Sequence, residues 1–245
     1  MKRNHWNVLL MSLLIVTSCD HVMCHGRLIL PPSRSSAWRY GFDVPENFND
    51  NELNCGGYAN QWEKQGGKCG VCGDPFQGPR HNEAPGGKYA KGVIVQDYKA
   101  GSNISVKIDI TKNHKGWHEF RLCVKDDPKQ KVDQSCLDKY LLPLADGKGT
   151  TRYYMPDDKD RIFEIKLTLP DGIECSTCVF QWKWHCGNSW GTDSGGSSGI
   201  GKGGQEQFYG CADIRIVNEK TKTTTTSATA FTVATTTTPS TMAMK

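Results

Sequence analysis

His25, followed by Gly26 and Arg27, is the residue best placed to do unusual chemistry, because the segment ahead of it has the pattern of a secretory leader. Lys2 and Arg3 supply positive charge, Val8 to Val16 an apolar run, and Val22 and Cys24 the positions three and one before His25. That run is too short to span a bilayer. Cleavage after Cys24 makes His25 the first residue, and its free α-amine and imidazole can then grip one metal ion together. Cleavage elsewhere turns that nitrogen into an amide, a poor ligand.

Four other histidines remain beyond the leader: His81, His114, His118 and His185. His81 lies in a Pro/Gly/Asn-rich loop and reads as a solvated loop residue. His114 and His118 are four apart, a spacing that joins ligands only on a helix, and their neighbours read as turn and strand. His185, between Trp184 and Cys186, reads as a packing or hydrogen-bonding residue.

Nine of the eleven cysteines lie beyond the leader, from Cys55 to Cys211. A secreted chain so rich in cysteine is expected to carry up to four disulfides, with one thiol left free or paired with another molecule. Cys69-Gly-Val-Cys72 and Cys175-Ser-Thr-Cys178 have zinc-like spacing. Their wide separation and the oxidising compartment favour disulfides.

The elements that must position these groups are strands. Asn103 to Thr111 alternates Ile104, Val106, Ile108 and Ile110 with polar residues, the period of a half-buried strand. Phe120, Leu122 and Val124 repeat the pattern after a turn at Asn113 to Gly116. Further strands are expected from Phe163 to Leu169, Cys178 to His185 and Phe208 to Val217, and a helical turn within Ser135 to Leu142. This predicts an all-β fold, an antiparallel β-sandwich of the immunoglobulin/fibronectin type with long disulfide-stapled loops. Gly191 to Gly204 reads as a mobile glycine-rich loop. Beyond Lys220, twelve of the 21 residues from Thr221 to Thr241 are threonine, the composition of an O-glycosylated stalk. The expected organisation is a leader over 1–24, one domain over 25–220 and a tail over 221–245. Asn103-Ile104-Ser105 is an N-glycosylation sequon. Loss of the leader moves the formal charge only from +4 to +3, and no Lys/Arg-rich block points to nucleic acid or a membrane surface.

Several blocks together resemble the copper-dependent lytic polysaccharide monooxygenases, specifically the animal and viral branch called auxiliary-activity family fifteen. They are His25-Gly26 with Pro31-Pro32-Ser33-Arg34-Ser35-Ser36, Trp38-Arg39 and Gly41-Phe42; Asn54 to Gly57; and Gly67 to Asp74. Asn113 to Gly116, Phe120 to Cys123, Cys175 to Trp182, Gly187 to Gly191 and Phe208 to Ile214 complete the set. The resemblance covers about residues 25–217. It implies a secreted, monomeric enzyme holding one copper ion in a T-shaped histidine brace, with two nitrogens from His25 and one from His114. Imidazole and amine nitrogens suit copper, which tops the divalent affinity order. The implied reaction uses O₂ or H₂O₂ and a small-molecule or protein electron donor to oxidise a sugar C–H bond, which breaks the chain of an insoluble polysaccharide.

The family places an aromatic residue on the last core strand beside the copper. Phe208 and Tyr209 are adjacent candidates that must face opposite ways, and alignment favours Phe208. Lys112 stands where the family commonly has a small alanine. The loop after Asn188-Ser189-Trp190-Gly191 lacks the family's usual cysteine, which fits the odd count. Trp38 and Tyr40 are candidates for the substrate face. Chitin is the first expectation, from the branch's prominence in arthropods and insect viruses, and cellulose the second. The rival readings are a non-catalytic chitin- or cellulose-binding module and a cysteine-rich structural protein.

Overall fold

A computed structural model describes residues 24–219 of the 245; the expected leader up to residue 23 and the threonine-rich tail lie outside the described residues. The chain runs through β1 (His25–Leu30), β2 (Gln96–Lys99), β3 (Asn103–Lys112), β4 (Trp117–Cys123), α1 (Gln134–Leu137), β5 (Tyr140–Leu141), β6 (Tyr153–Tyr154), β7 (Arg161–Thr168), β8 (Cys175–His185), β9 (Trp190–Thr192), β10 (Ser198–Ile200) and β11 (Gln207–Val217). Two sheets form the sandwich, one ordered β1-β3-β7 and the other β2-β11-β8-β4-β5, with β6 also paired to β4. All pairings are antiparallel except β2 with β11.

Alternation decides which side chains meet between the sheets. Ile104, Val106, Ile108 and Ile110 of β3 point inward, as do Phe163, Ile165 and Leu167 of β7. They meet Phe120 and Leu122 of β4, Phe180, Trp182 and Trp184 of β8, and Phe208, Ala212 and Ile214 of β11. Burying side chains of this size is the main favourable term in the fold, each worth roughly 1.5–3 kcal/mol for the Val/Leu/Ile/Phe class.

Two local expectations are corrected. The helical turn is confined to α1, capped by the Asp133 carboxylate accepting from the Cys136 N–H, and the chain then enters β5 instead of continuing to Leu142. The glycine-rich stretch forms the β9–β10 hairpin, because Asp193 closes its turn: its N–H donates to the Ser197 carbonyl (2.9 Å) and its carboxylate accepts from the Gly203 N–H (2.9 Å). In the uncut chain Cys24 is bonded to Cys186. The other disulfides are Cys55–Cys69, Cys72–Cys211, Cys123–Cys136 and Cys175–Cys178. Neither two-residue cysteine spacing is a zinc site.

His118 is wholly buried among aromatic rings. Trp182 Nε1 donates to its Nδ1 (3.0 Å), so the proton sits on Nε2, which faces Met155 Sδ at 2.9 Å. Burial lowers the His118 pKa to about 3 and, with nearby Lys183, lowers that of His185 to about 4. The unfolded chain takes up protons on both rings as pH falls through about 6.5, whereas the folded chain does not until about 4 and 3. Stability present above pH 6.5 is therefore lost on acidification, His118 contributing a slope of about 1.4 kcal/mol per pH unit. Urea midpoints measured from pH 7 to 4 should fall throughout that window; a flat profile would contradict a neutral buried His118.

Candidate metal centre

His25 begins β1 and pairs in register with Lys112, at the end of β3. His114 follows two residues later in a turn that Asn113 holds. The Asn113 N–H donates to Asp160 Oδ1 (2.6 Å), its side-chain amide donates to the Asp157 and Lys159 carbonyls, and its Oδ1 accepts from the Lys115 N–H (2.8 Å). Lys115 and Gly116 both have left-handed backbones, with φ of 58° and 86°. A Cβ at Gly116 would collide with the His185 carbonyl oxygen, so glycine is required where this turn packs on the end of β8. The His114 carbonyl accepts from the Gly187 N–H (3.0 Å) and the Lys115 carbonyl from Trp184 Nε1 (2.8 Å).

Phe208 lies opposite Trp184 in register, fully buried, with its ring centre 6.4 Å from that of His25 and 5.5 Å from that of Trp184. Tyr209 faces the other side of β11, where its hydroxyl donates to Gln207 Oε1 (2.8 Å) and burial raises its pKa. His25 and Phe208 are thus brought together and Tyr209 is not.

Two acidic residues near His25 were not read from the sequence. Glu52 Oε1 lies 3.4 Å from His25 Nε2. Nδ1 is then the imidazole nitrogen that can close a chelate with the amine of the same residue. Glu206 Oε2 accepts from the Cys24 N–H and its Oε1 from Asn54 Nδ2, each at 3.0 Å. Burial raises the Glu206 carboxyl's pKa, against the lowering effects of those two donors and of His25. The only sequence signal for either residue was the neighbouring Asn54 to Gly57 block.

The donor set fits copper. Two imidazoles, joined by an amine when His25 is the first residue, offer nitrogen ligands, and Phe208 offers only a hydrocarbon face. Cys24, Cys186 and Glu206 also converge, but both sulfurs are spent on a disulfide. A single carboxylate remains there, too little to make a second metal site. Lys112 is exposed. His81 is exposed beside Tyr89, and His185 is stacked on Trp117 at 4.7 Å with Nδ1 3.1 Å from Gln207 Nε2; neither joins the centre.

Around this end of the sandwich lie exposed aromatics. Tyr40 is half exposed; Trp38 is partly buried, with Nε1 donating to the Asn47 carbonyl (3.2 Å) and its ring edge-on to Phe48. An ionic network stiffens the segment: the Asp50 carboxylate takes both Arg27 (3.0 Å) and Arg39 (2.6 Å), and Arg27 also holds Asp109 (2.6 Å). The hairpin adds the cross-strand pair Trp190 and Ile200, 69% and 64% exposed. Sequence reading placed Trp190 only within a matched block, because its exposure depends on the hairpin.

Comparison with known proteins gives two informative matches. A family model described as lytic polysaccharide mono-oxygenase, cellulose-degrading, matches residues 25–214. A solved lytic polysaccharide monooxygenase AA15 from Thermobia domestica, in the Cu(I) state, is 49% identical, with a TM-score of 0.75 over 78% of this chain and 98% of its own. A structure of AvmM, which catalyses macrocyclisation in alchivemycin A biosynthesis, is 14% identical over 49% of this chain and 82% of its own, and its TM-score of 0.27 carries no argument. No curated protein matches the sequence.

Proposed function

Because this chain belongs to the lytic polysaccharide monooxygenases, we propose that it is secreted, cut after Cys24, and oxidatively cleaves crystalline chitin first and cellulose second. Its fold is that family's immunoglobulin-like sandwich, and it is a copper oxidoreductase of polysaccharide degradation that draws on an external electron donor. The observation that carries the site assignment is the meeting of His25 with Phe208 at the end of the β1–β3 pair from which His114 follows. The description of the matching family model as cellulose-degrading supports keeping cellulose as second substrate. Among the described residues no helix is long and apolar enough to cross a membrane.

In this reading His25 and His114 hold the copper, which supplies one-electron chemistry and activates O₂ or H₂O₂. The protein's own residues position it. Glu52 orients the His25 imidazole through Nε2, as outer partners commonly do for ligating histidines. Glu206, fixed by Asn54, accepts from the N–H of Cys24 and is placed to steady the amine that cleavage creates at His25. Asn113 and Gly116 fix the turn that carries His114. Phe208, buried beside the His25 ring, would keep water from that side of the site. Trp38, Tyr40 and Trp190 offer ring faces on which a polysaccharide surface can lie.

The test is the processed, copper-loaded protein on β-chitin and on cellulose with ascorbate. Oxidised oligosaccharides should appear in mass spectra only when reductant is present. Their absence on both polymers, with copper bound, would reduce the protein to a binding module.

Processing also has a chemical signature. A chain beginning at His25 keeps four disulfides and leaves Cys186 alone. Alkylation under denaturing, non-reducing conditions should label one thiol per chain, mapped to Cys186. No label after denaturation would mean that Cys186 is still paired, as it is with Cys24 in the uncut chain, and would count against cleavage after Cys24.

A further inference from the structure

We propose that the outer face of the larger sheet holds a second binding site, a groove for a carboxylate-bearing sugar centred on Lys183. Lys183 lies midway along β8, between Glu119 of β4 and Tyr209 of β11 in register, on the opposite side of β11 from Phe208. The groove has a volume of about 520 Å³ and is lined by Trp62, Lys68, Phe76, Arg121, Lys183 and Tyr209 among others. That volume lies within the usual range for small-molecule sites, roughly 300–1,000 Å³.

The case rests on charge that the protein leaves unmatched. Glu119 is held by Arg121 (2.9 Å) and Arg152 (2.8 Å), and Asp138 by Arg121 (2.9 Å) and Gln134 (2.8 Å). Two carboxylates thus serve two arginines, and Lys183 is surplus. Among the described residues its ammonium has no hydrogen bond or ion pair; it lies 5.7 Å from the Trp117 ring centre and 5.8 Å from that of Tyr209. Burial lowers its pKa, against the attraction of Glu119 and Asp138, neither of which it touches directly. An incoming anion recovers the interaction this lysine has forgone.

The surroundings select among anions. Arg121 is committed to its carboxylates, so the floor offers one free point charge and no second fork, which suits a singly charged carboxylate better than a phosphate. Phe76, 40% exposed, supplies a ring face for the C–H face of a pyranose, above the buried Tyr209. Lys68 stands over Phe76 at 5.4 Å, at the rim. A uronate satisfies both demands with one ring.

The experiment uses the folded protein stripped of copper, so its outcome is independent of the oxidative reading. D-glucuronate is titrated by calorimetry, with D-glucose as neutral control and inorganic phosphate as the competing anion. Glucuronate should bind in the millimolar range or tighter, with glucose and phosphate each at least about tenfold weaker. Lys183→Met should weaken glucuronate by at least about tenfold while leaving the thermal midpoint near that of the parent. If Lys183→Met does not fold, Phe76→Ala, at a partly exposed position, should weaken it severalfold. No heat with glucuronate up to about 50 mM, equal binding of glucose or phosphate, or parent-like affinity in the folded variants would overturn the site.

Discussion

A protein with one extra residue ahead of His25 should bind copper(II) about 10²- to 10⁴-fold more weakly than the same chain beginning at His25. The extra residue makes the His25 nitrogen an amide, which carries no donor pair at neutral pH, and so abolishes the chelate. The size follows from effective concentration: once imidazole is bound, the amine of the same residue binds intramolecularly, and losing such a link costs about that factor. The protein surroundings point the same way. Glu52 occupies Nε2 and leaves Nδ1 for the ion, and Glu206 waits where the new amine would form. His114→Ala should cost a further large factor by removing the nitrogen supplied from the turn after β3. Competitive titration against a chelator of known affinity measures both, and equal affinities across the three proteins would refute the brace.

Breaking the Arg34–Asp213 pair should be the most damaging single change to the fold. Arg34 Nε and Nη2 reach the two Asp213 oxygens at 2.7 and 2.6 Å, and Nη1 donates to the Asn82 carbonyl at 2.8 Å. The side chains are 5% and 1% exposed, so neither charge has water to fall back on. Arg34→Met leaves the Asp213 carboxylate buried without its partner and should cost about 3–5 kcal/mol. For a domain of this size that lowers the melting midpoint by roughly 6–20 °C. Arg34→Met combined with Asp213→Leu should recover much of the loss, since a well-packed apolar pair often matches a buried ionic one. Denaturant midpoints on the oxidised proteins decide it: a double variant no better than the single one would show that the bond acts by joining segments, because Arg34 follows β1, Asp213 lies in β11, and Asn82 belongs to the long loop between them.

What could be read from the sequence was alternation of apolar and polar residues, which in β3 and β7 matches alternating burial, whereas β4, β8 and β11 are buried on both faces. All five were legible, with ends shifted by a few residues. β1 was not, because His25-Gly-Arg-Leu-Ile-Leu does not keep a period of two. β2 could not be, because none of Gln96 to Lys99 is buried and its parallel pairing with β11 is long-range. The β9–β10 hairpin is held by backbone hydrogen bonds and the Asp193 turn, so its glycine content misled. At the site, His25, His114 and the Phe208/Tyr209 choice came from resemblance and strand parity. Glu52 and Glu206 did not, because their roles depend on loops folding back against β1. The odd cysteine was countable in advance, but naming it as Cys186, the one left over if the leader is cut after Cys24, needed the pairings of the other eight.

Trp184 joins the two halves of the metal centre: its indole N–H binds the Lys115 carbonyl, one residue from His114, and its ring lies against Phe208, which lies against His25. An indole so enclosed emits at short wavelength, and its emission responds to any movement of its hydrogen-bond acceptor and to an open-shell ion nearby. The intrinsic fluorescence of the folded protein should therefore change as copper is added or stripped. Trp184 makes the enzyme its own optical gauge of whether the turn bearing His114 is in place.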